Sequence, residues 1–396
     1  MFRATFVLGF TVLCWFTLAS HVCGGCSIGV PEESLRDRYL TADCTVIASW
    51  KSAQPRDRKR GVNGQTQFTF ERVVRDSEKK SEKIQQGKDL TLNWFQAGQV
   101  GDRFLIFGSV SPDGDHSWGS PVPCSDTLPD YITGAPDIQA LPKVQLDYFV
   151  KYLDSPDTYV AHDAYLECSS VEFKELLVLH ELFPHEKLRR WVADPQTDPN
   201  QRGFYALLLG LWRDAADTQL LRELAMQKHE EFSFGANGIF AGYLMNVGER
   251  GLAELEQAKL YNKSVPFSET YAGLNALRVM WISGSDRISK DRLKQSMRGL
   301  LDRPELADLV IIDLGRWQDW SVSDRLMELY DTAEDNTPST KRAIVRFFLA
   351  MEAAKPKDAK EPFPAHVVTA QKHLKTLREK DPETVKTAEE FFFLGF

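Results

Sequence analysis

The chain has 396 residues, enough for two ordinary domains of roughly 100–200 residues each, and 43% of them are hydrophobic, the usual share for a globular protein. It carries 48 Lys and Arg against 56 Asp and Glu, for a formal net charge of −8. That balance excludes the global basic field that draws proteins to nucleic acid or to an anionic membrane surface.

Residues 1–22 read as a signal peptide. Arg3 precedes the apolar run FVLGFTVLCWFTLA, and the small residues Ala19 and Ser20 lead to the polar His21. A short positive start, a hydrophobic core too short to span a bilayer comfortably and a small-residue exit are the layout of a secretory leader, cleaved between Ala19 and Gly25. An uncleaved N-terminal anchor is the alternative. The residues ahead of Cys23 and Cys26 lack the Leu-small-small pattern of a lipoprotein. No later stretch is long and apolar enough to cross a bilayer, so the expectation is a secreted or periplasmic protein with no transmembrane segment after signal removal.

Export changes how the cysteines read. With Cys14 in the leader, Cys23, Cys26, Cys44, Cys124 and Cys168 remain. In an oxidising compartment paired cysteines serve as staples more often than as ligands, so Cys23, Cys26, Cys44 and Cys124 are the disulfide candidates, with three possible pairings. Cys168, inside the helical AYLECSS, reads as a buried free thiol. Cys23-Gly24-Gly25-Cys26 has redox-motif spacing without a strand-to-helix setting, and zinc would need a second close pair. No cofactor and no metal is expected.

Residues 23–125 read as a β-domain. ADCTVIASW, QFTFERVVRD, KDLTLNWFQ and GDRFLIFGSV are rich in β-branched and aromatic residues and alternate in part, as at Phe68/Phe70 and Leu90/Leu92/Trp94. The charged stretches AQPRDRKRGVNGQ and SEKKSEKIQQG read as connections, and the basic cluster Arg56, Arg58, Lys59, Arg60 as a solvated loop. CGGCSIG, ADCTVIASW, FTFERVVRD, QQGKDLTL, QVGDRFLIFG and Cys124 together resemble the netrin module and the tissue-inhibitor-of-metalloproteinase type of small OB-like barrel. The resemblance implies a closed barrel and, by extension, metalloprotease inhibition. Those inhibitors use a mature N-terminal Cys-x-Cys, whereas this chain has Cys-x-x-Cys.

A Pro-, Gly- and Asp-rich stretch at 126–142 reads as a linker, and 143–396 as all-helical. A two-part helical unit recurs at a period of about 32–36 residues, within the range of helical solenoids. GFYALLLGLW pairs with TQLLRELAM, ANGIFAGYLM with GLAELEQAKL, TYAGLNALRVMW with DRLKQSMRGLL, ELADLVIIDLGRW with DRLMELY, and KRAIVRFFLAM with HVVTAQKHLKTL. One such pair cannot bury its apolar face, but stacked pairs share a core, which predicts a HEAT-like solenoid; an irregular helical domain is the alternative. Pro304 suits a first helical turn, with Asp302 ahead of it as a cap. AHDAYLEC, LLLGLW, GERGLAELE and PELADLVIIDLGRWQDW resemble a family of uncharacterised exported bacterial proteins with this two-part build. That likeness implies architecture and supplies no activity.

Candidate chemistry is sparse. His180-Glu181-Leu182-Phe183-Pro184-His185 misses the HExxH spacing that puts two imidazoles on one helical face, and Pro184 interrupts the helix. His162, Asp163 and Glu167 could form an acid/base group, with a buried cap or inter-helix bond the plainer reading. Asp313, Arg316, Trp317, Asp319 and Trp320 are the densest polar–aromatic group, the candidate interaction residues, since Arg and Trp are enriched in binding hot spots. The same residues suit staples between repeats. The sequence therefore predicts a multidomain α+β protein, an OB-like barrel followed by an all-α solenoid, acting without catalysis by binding a protein or cell-envelope component. A secreted enzyme inhibitor working through the barrel is the alternative. The apolar Phe391–Phe396 is expected to pack back on the last helices.

Overall fold

The computed structural model describes residues 33–56, 63–77, 86–111, 113, 115–228, 234–331, 338–355, 362–390 and 392. The leader, Cys23, Cys26, Arg58, Lys59, Arg60 and most of Phe391–Phe396 lie outside them. The first element is a short helix, α1 (Leu35–Thr41), whose first turn is capped by Ser34 accepting from the Asp37 N–H.

Six antiparallel strands follow: β1 (Cys44–Gln54), β2 (Gln65–Asp76), β3 (Asp89–Leu92), β4 (Arg103–Val110), β5 (His116–Trp118) and β6 (Val122–Pro123). Their order is β3-β2-β1-β4-β5, with β6 also paired to β4. The apolar run at the start of β1 puts it in the middle, and Cys44 to Ala48 are buried on both faces. Ile47, Leu105, Phe107 and Val122 join the core of the helical part, while Val46, Ala48, Phe68, Phe70, Leu90, Leu92, Phe104 and Ile106 form a second core under Trp50, Trp94 and Trp118. The sheet is not closed. The edge strands β3 and β5 do not pair with each other, so the predicted barrel is an open sheet here. Register shifts between β1 and β2 mark bulges, which twist a sheet locally.

The stretch read as a linker is packed structure. α2 (Thr127–Gly134) lies within it, with Leu128, Tyr131 and Ile132 buried at an i, i+3, i+4 spacing that Pro129, in the first turn, does not disturb. α3 (Pro142–Phe149), α4 (Thr158–Ser170), α5 (Phe173–Leu179) and α6 (His185–Ala193) follow.

The five repeated units are then helix pairs: α7 (Pro199–Leu211) with α8 (Ala215–Met226), α9 (Ala236–Val247) with α10 (Glu249–Leu255), α11 (Phe267–Ser283) with α12 (Lys290–Gly299), α13 (Ala307–Arg316) with α14 (Ser323–Asp331), and α15 (Pro338–Ala353) with α16 (Ala365–Lys380). α17 (Pro382–Glu390) ends the described helices. A π-turn, Glu256–Leu260, extends α10. Pro304 opens a 3-10 turn into α13, but Asp302 pairs with Arg325 instead of capping it.

The first helix of each pair is the more buried one, and these helices pack in succession: α7 on α9, α9 on α11, α13 on α15. α11 meets α13 through the stacked rings of Trp281 and Trp317, 4.2 Å apart, and the ion pair Arg278–Asp313. Between α7 and α9 the backbones approach so closely that side chains are excluded. A Cβ on Gly242 would lie 2.1 Å from the Ala206 carbonyl oxygen, and one on Gly210 would lie 2.1 Å from that of Gly242.

Candidate functional site

The turn between the two helices of a pair is built alike in two places. Gly210-Leu211-Trp212-Arg213-Asp214 and Gly315-Arg316-Trp317-Gln318-Asp319 share a G-x-W-x-D pattern. In each, the Trp closes the first helix and the next residue takes a left-handed backbone, φ 57° at Arg213 and 52° at Gln318. The Asp then meets an Arg from an earlier helix, Arg189 of α6 near Asp214 and Arg298 of α12 on Asp319. Each indole stacks on a ring from an earlier helix, Trp212 on His185 of α6 at 4.7 Å and Trp317 on Trp281 of α11.

That geometry decides how the Asp313–Trp320 group is used. Asp313 is 2% exposed and accepts from Arg278 Nε at 2.7 Å; Asp319 is 3% exposed and accepts from Arg298 at 2.6 and 2.9 Å and from Ser321 Oγ at 2.7 Å. Trp317 is buried in its stack. Trp320 packs edge-on against Phe347 and stacks on His366. Arg316 alone of the five is exposed. The helix ends are where one pair must be joined to the next, and this group makes that joint.

The two histidines of HELFPH do converge, although by a route that helix spacing does not show. α5 ends before His180, Pro184 precedes α6, and the turn lays both imidazoles against Trp212. His185 Nε2 lies 2.7 Å from Oδ2 of the fully buried Asp217, and Asp214 completes a group of ligand-type atoms within 4.8 Å of one another. Arg189 enters the same group, donating from Nε to Asp217 Oδ1 at 2.6 Å and approaching Asp214 at 3.6 Å. The guanidinium already supplies the positive charge a metal would bring, so the donor set fits an ion-pair cluster better than a coordination site.

Asp163 and Glu167 are buried one turn apart on α4 and receive the chain segment just before the sheet. Asp163 accepts from the Leu35 N–H and from Tyr131 OH at 2.7 Å. Glu167 accepts from Ser34 Oγ at 2.7 Å and from Arg36 Nη1 at 2.8 Å. His162 turns elsewhere, toward Tyr165 and Gln201. The group thus joins α1 to the helical part. Ser34, Leu35 and Arg36 lie more than a hundred residues before the carboxylates they meet, which no local pattern could reveal.

Burial outweighs the hydrogen bonds from Tyr131 and Leu35 and pushes the Asp163 carboxyl up to about 6. A folded pKa above the unfolded one means that the native state binds the proton more tightly, so this group's contribution falls as pH rises from about 4 to about 6. Asp163→Asn keeps an acceptor for Leu35 and removes the charge. Relative to the variant, the wild type is expected to lose about 2–3 kcal/mol between pH 4 and 7, measured as urea midpoints at each pH. A difference independent of pH would count against it.

Two further polar groups that the sequence reading passed over sit on the π-turn. Glu256 accepts from both Arg292 terminal nitrogens, at 2.7 and 2.6 Å, and from Ser296 Oγ at 2.6 Å. Lys259 and Glu269 form an ion pair with both side chains 2% exposed. A lysine in the amphipathic GLAELEQAKL gives no sign of being inside.

Cys44, Cys124 and Cys168 carry free thiols. Cys44 lies across from Gly108 of β4, whereas the Cys124 N–H bonds to Arg103 of the same strand, five positions away. At about 3.4 Å per residue that is roughly 17 Å along the strand, far beyond disulfide reach. Cys44 and Cys124 therefore do not bridge each other. Burial pushes both thiols up to about 11, away from nucleophilic thiolate. No helix among the described residues is long and apolar enough to cross a membrane. No protein-family model, curated protein or solved structure matches the chain.

Proposed function

We propose that this chain is an exported binding protein, in which the helix pairs form a HEAT-like solenoid that holds a protein or cell-envelope component and the sheet domain adds a second contact surface. One observation carries the reading: five helix pairs recur along the chain, with the first helices packed α7 on α9, α9 on α11 and α13 on α15, and α11 joined to α13 by the Trp281–Trp317 stack. Such arrays make a long surface from small units, and their common use is to present it to a partner. The buried charges described above support it, because Asp163, Asp217, Glu256, Asp313 and Asp319 are each satisfied by neighbours within the fold. The inhibitor reading draws on Cys23 and Cys26, which lie outside the described residues.

The test is chemical cross-linking of the purified mature protein in its own envelope fraction, followed by mass spectrometry. A discrete partner cross-linked through residues of α7–α16 is expected. Cross-links confined to the sheet domain, together with inhibition of a metalloprotease, would favour the inhibitor reading instead. No cross-linked partner at all would overturn the scaffold.

A further inference from the structure

One face of the helix array carries two lysines that are held over an indole and form no ion pair among the described residues. Lys290 and Lys294 stand one turn apart on α12, with their ammonium groups 4.8 and 5.9 Å from the centre of the Trp281 ring. Trp281 is itself immobilised by stacking on the buried Trp317. The carboxylates nearby are engaged: Asp313 by Arg278, Asp319 by Arg298 and Asp286 by Arg213. Among the described residues neither lysine is in an ion pair, and Asp291, the one acidic residue of α12, is set against four cations in that helix. Arg292 and Arg298 of the same helix are matched by Glu256 and Asp319, which leaves Lys290 and Lys294 as its cations outside ion pairs. Ile282, which follows Trp281 on α11, is 59% exposed.

We infer that this face, Ile282, Lys290 and Lys294 on the Trp281–Trp317 stack, binds an acidic peptide segment of a partner protein. The inference rests on the binding-scaffold reading and names one of its surfaces. Lysines at i and i+4 are about 6 Å apart along a helix, and side chains at i and i+2 of an extended peptide are about 6.8 Å apart, so alternate carboxylates match the two ammonium groups. The next side chain on that face of the peptide can then be apolar and meet Ile282. Holding each ammonium over an indole reduces the side-chain freedom lost on binding.

The test uses the full mature chain and a fluorescein-labelled peptide repeating Glu-Ser-Glu-Ser-Val-Ser, which puts two carboxylates and then an apolar side chain on one face, read by anisotropy at physiological salt. Saturable binding is expected, weakened at least tenfold by Lys290→Glu with Lys294→Glu. The charge-matched pair Lys372→Glu with Lys375→Glu, exposed on α16, should bind as the wild type does, and circular dichroism should show all three proteins equally folded. No saturable binding, equal weakening by the two pairs, or binding of dextran sulfate that the peptide does not displace would overturn the inference, the last pointing to an anionic polymer. If the reversed protein still cross-links to the envelope partner, this face is wrong and the scaffold stands. If the wild type captures no partner, the scaffold reading itself has failed.

Discussion

Replacing Gly242 by alanine is expected to lower stability by about 2–3 kcal/mol, although alanine is the better helix former by about 1 kcal/mol. The reason lies in what the new methyl would meet. Gly242 faces the carbonyl of Ala206 on α7, with 2.1 Å between the added Cβ and the oxygen and 2.6 Å to the carbonyl carbon. Both are backbone atoms, so no side chain can swing aside, and the two helices would have to separate. Gly210, Gly235 and Gly238 lie in the same seam, each with a backbone atom of the opposite helix within 2.3 Å of its added Cβ. Parting α7 from α9 would open contacts along the joint between the first two helix pairs. Gly119→Ala is the control, because its added Cβ meets nothing closer than 3.5 Å, and it should change stability by less than about 0.5 kcal/mol. Urea unfolding of the three proteins decides the matter; a Gly242→Ala protein as stable as the wild type would mean that the helices part at little cost.

The helix pairs were legible because helical periodicity is local. The apolar residues of ELADLVIIDLGRW and DRLMELY announce their helices without reference to any other part of the chain. The strands were legible for the same reason. Closure of the sheet was not, since it depends on whether the edge strands β3 and β5, far apart in the strand order, pair with each other, which no local pattern states. The linker was misread because Pro129 and Gly134 outweighed Leu128, Tyr131 and Ile132, whose spacing is helical.

The polar groups divide in the same way. Asp163 and Glu167 were visible as a pair on one helical face, but Ser34 and Arg36, which satisfy them, are joined to them only by the fold. The G-x-W-x-D turn stands in the sequence twice and could have been found by comparing the two strings. It would have pointed to Asp319 and Trp317 as parts of a repeated joint. His185 and Asp217 illustrate the opposite case, where the relevant partner was neither at i+4 nor in the same helix.

Arg36→Ala is expected to cost about 3–5 kcal/mol, the range for removing one partner of a buried ion pair. Arg36 is 3% exposed and Glu167 8% exposed. The guanidinium donates to Glu167 at 2.8 Å and to the Pro136 carbonyl, and lies 5.2 Å from the centre of the Phe149 ring. Alanine would leave the Glu167 carboxylate inside with Ser34 Oγ donating to it at 2.7 Å, and would leave the Pro136 carbonyl without its guanidinium. The charge is the larger part of that cost. Glu167→Gln added to Arg36→Ala should therefore recover about 1–2 kcal/mol, so that the double variant is more stable than the single one. Hydrogen exchange locates the damage: amides of α1 should lose protection first, because Ser34, Leu35 and Arg36 are its tether to α4, while α15 and α16 should exchange as in the wild type. A double variant less stable than Arg36→Ala alone would mean that the carboxylate is comfortable without its arginine, and that apolar packing around Phe149 and Tyr131 holds α1 to the helices.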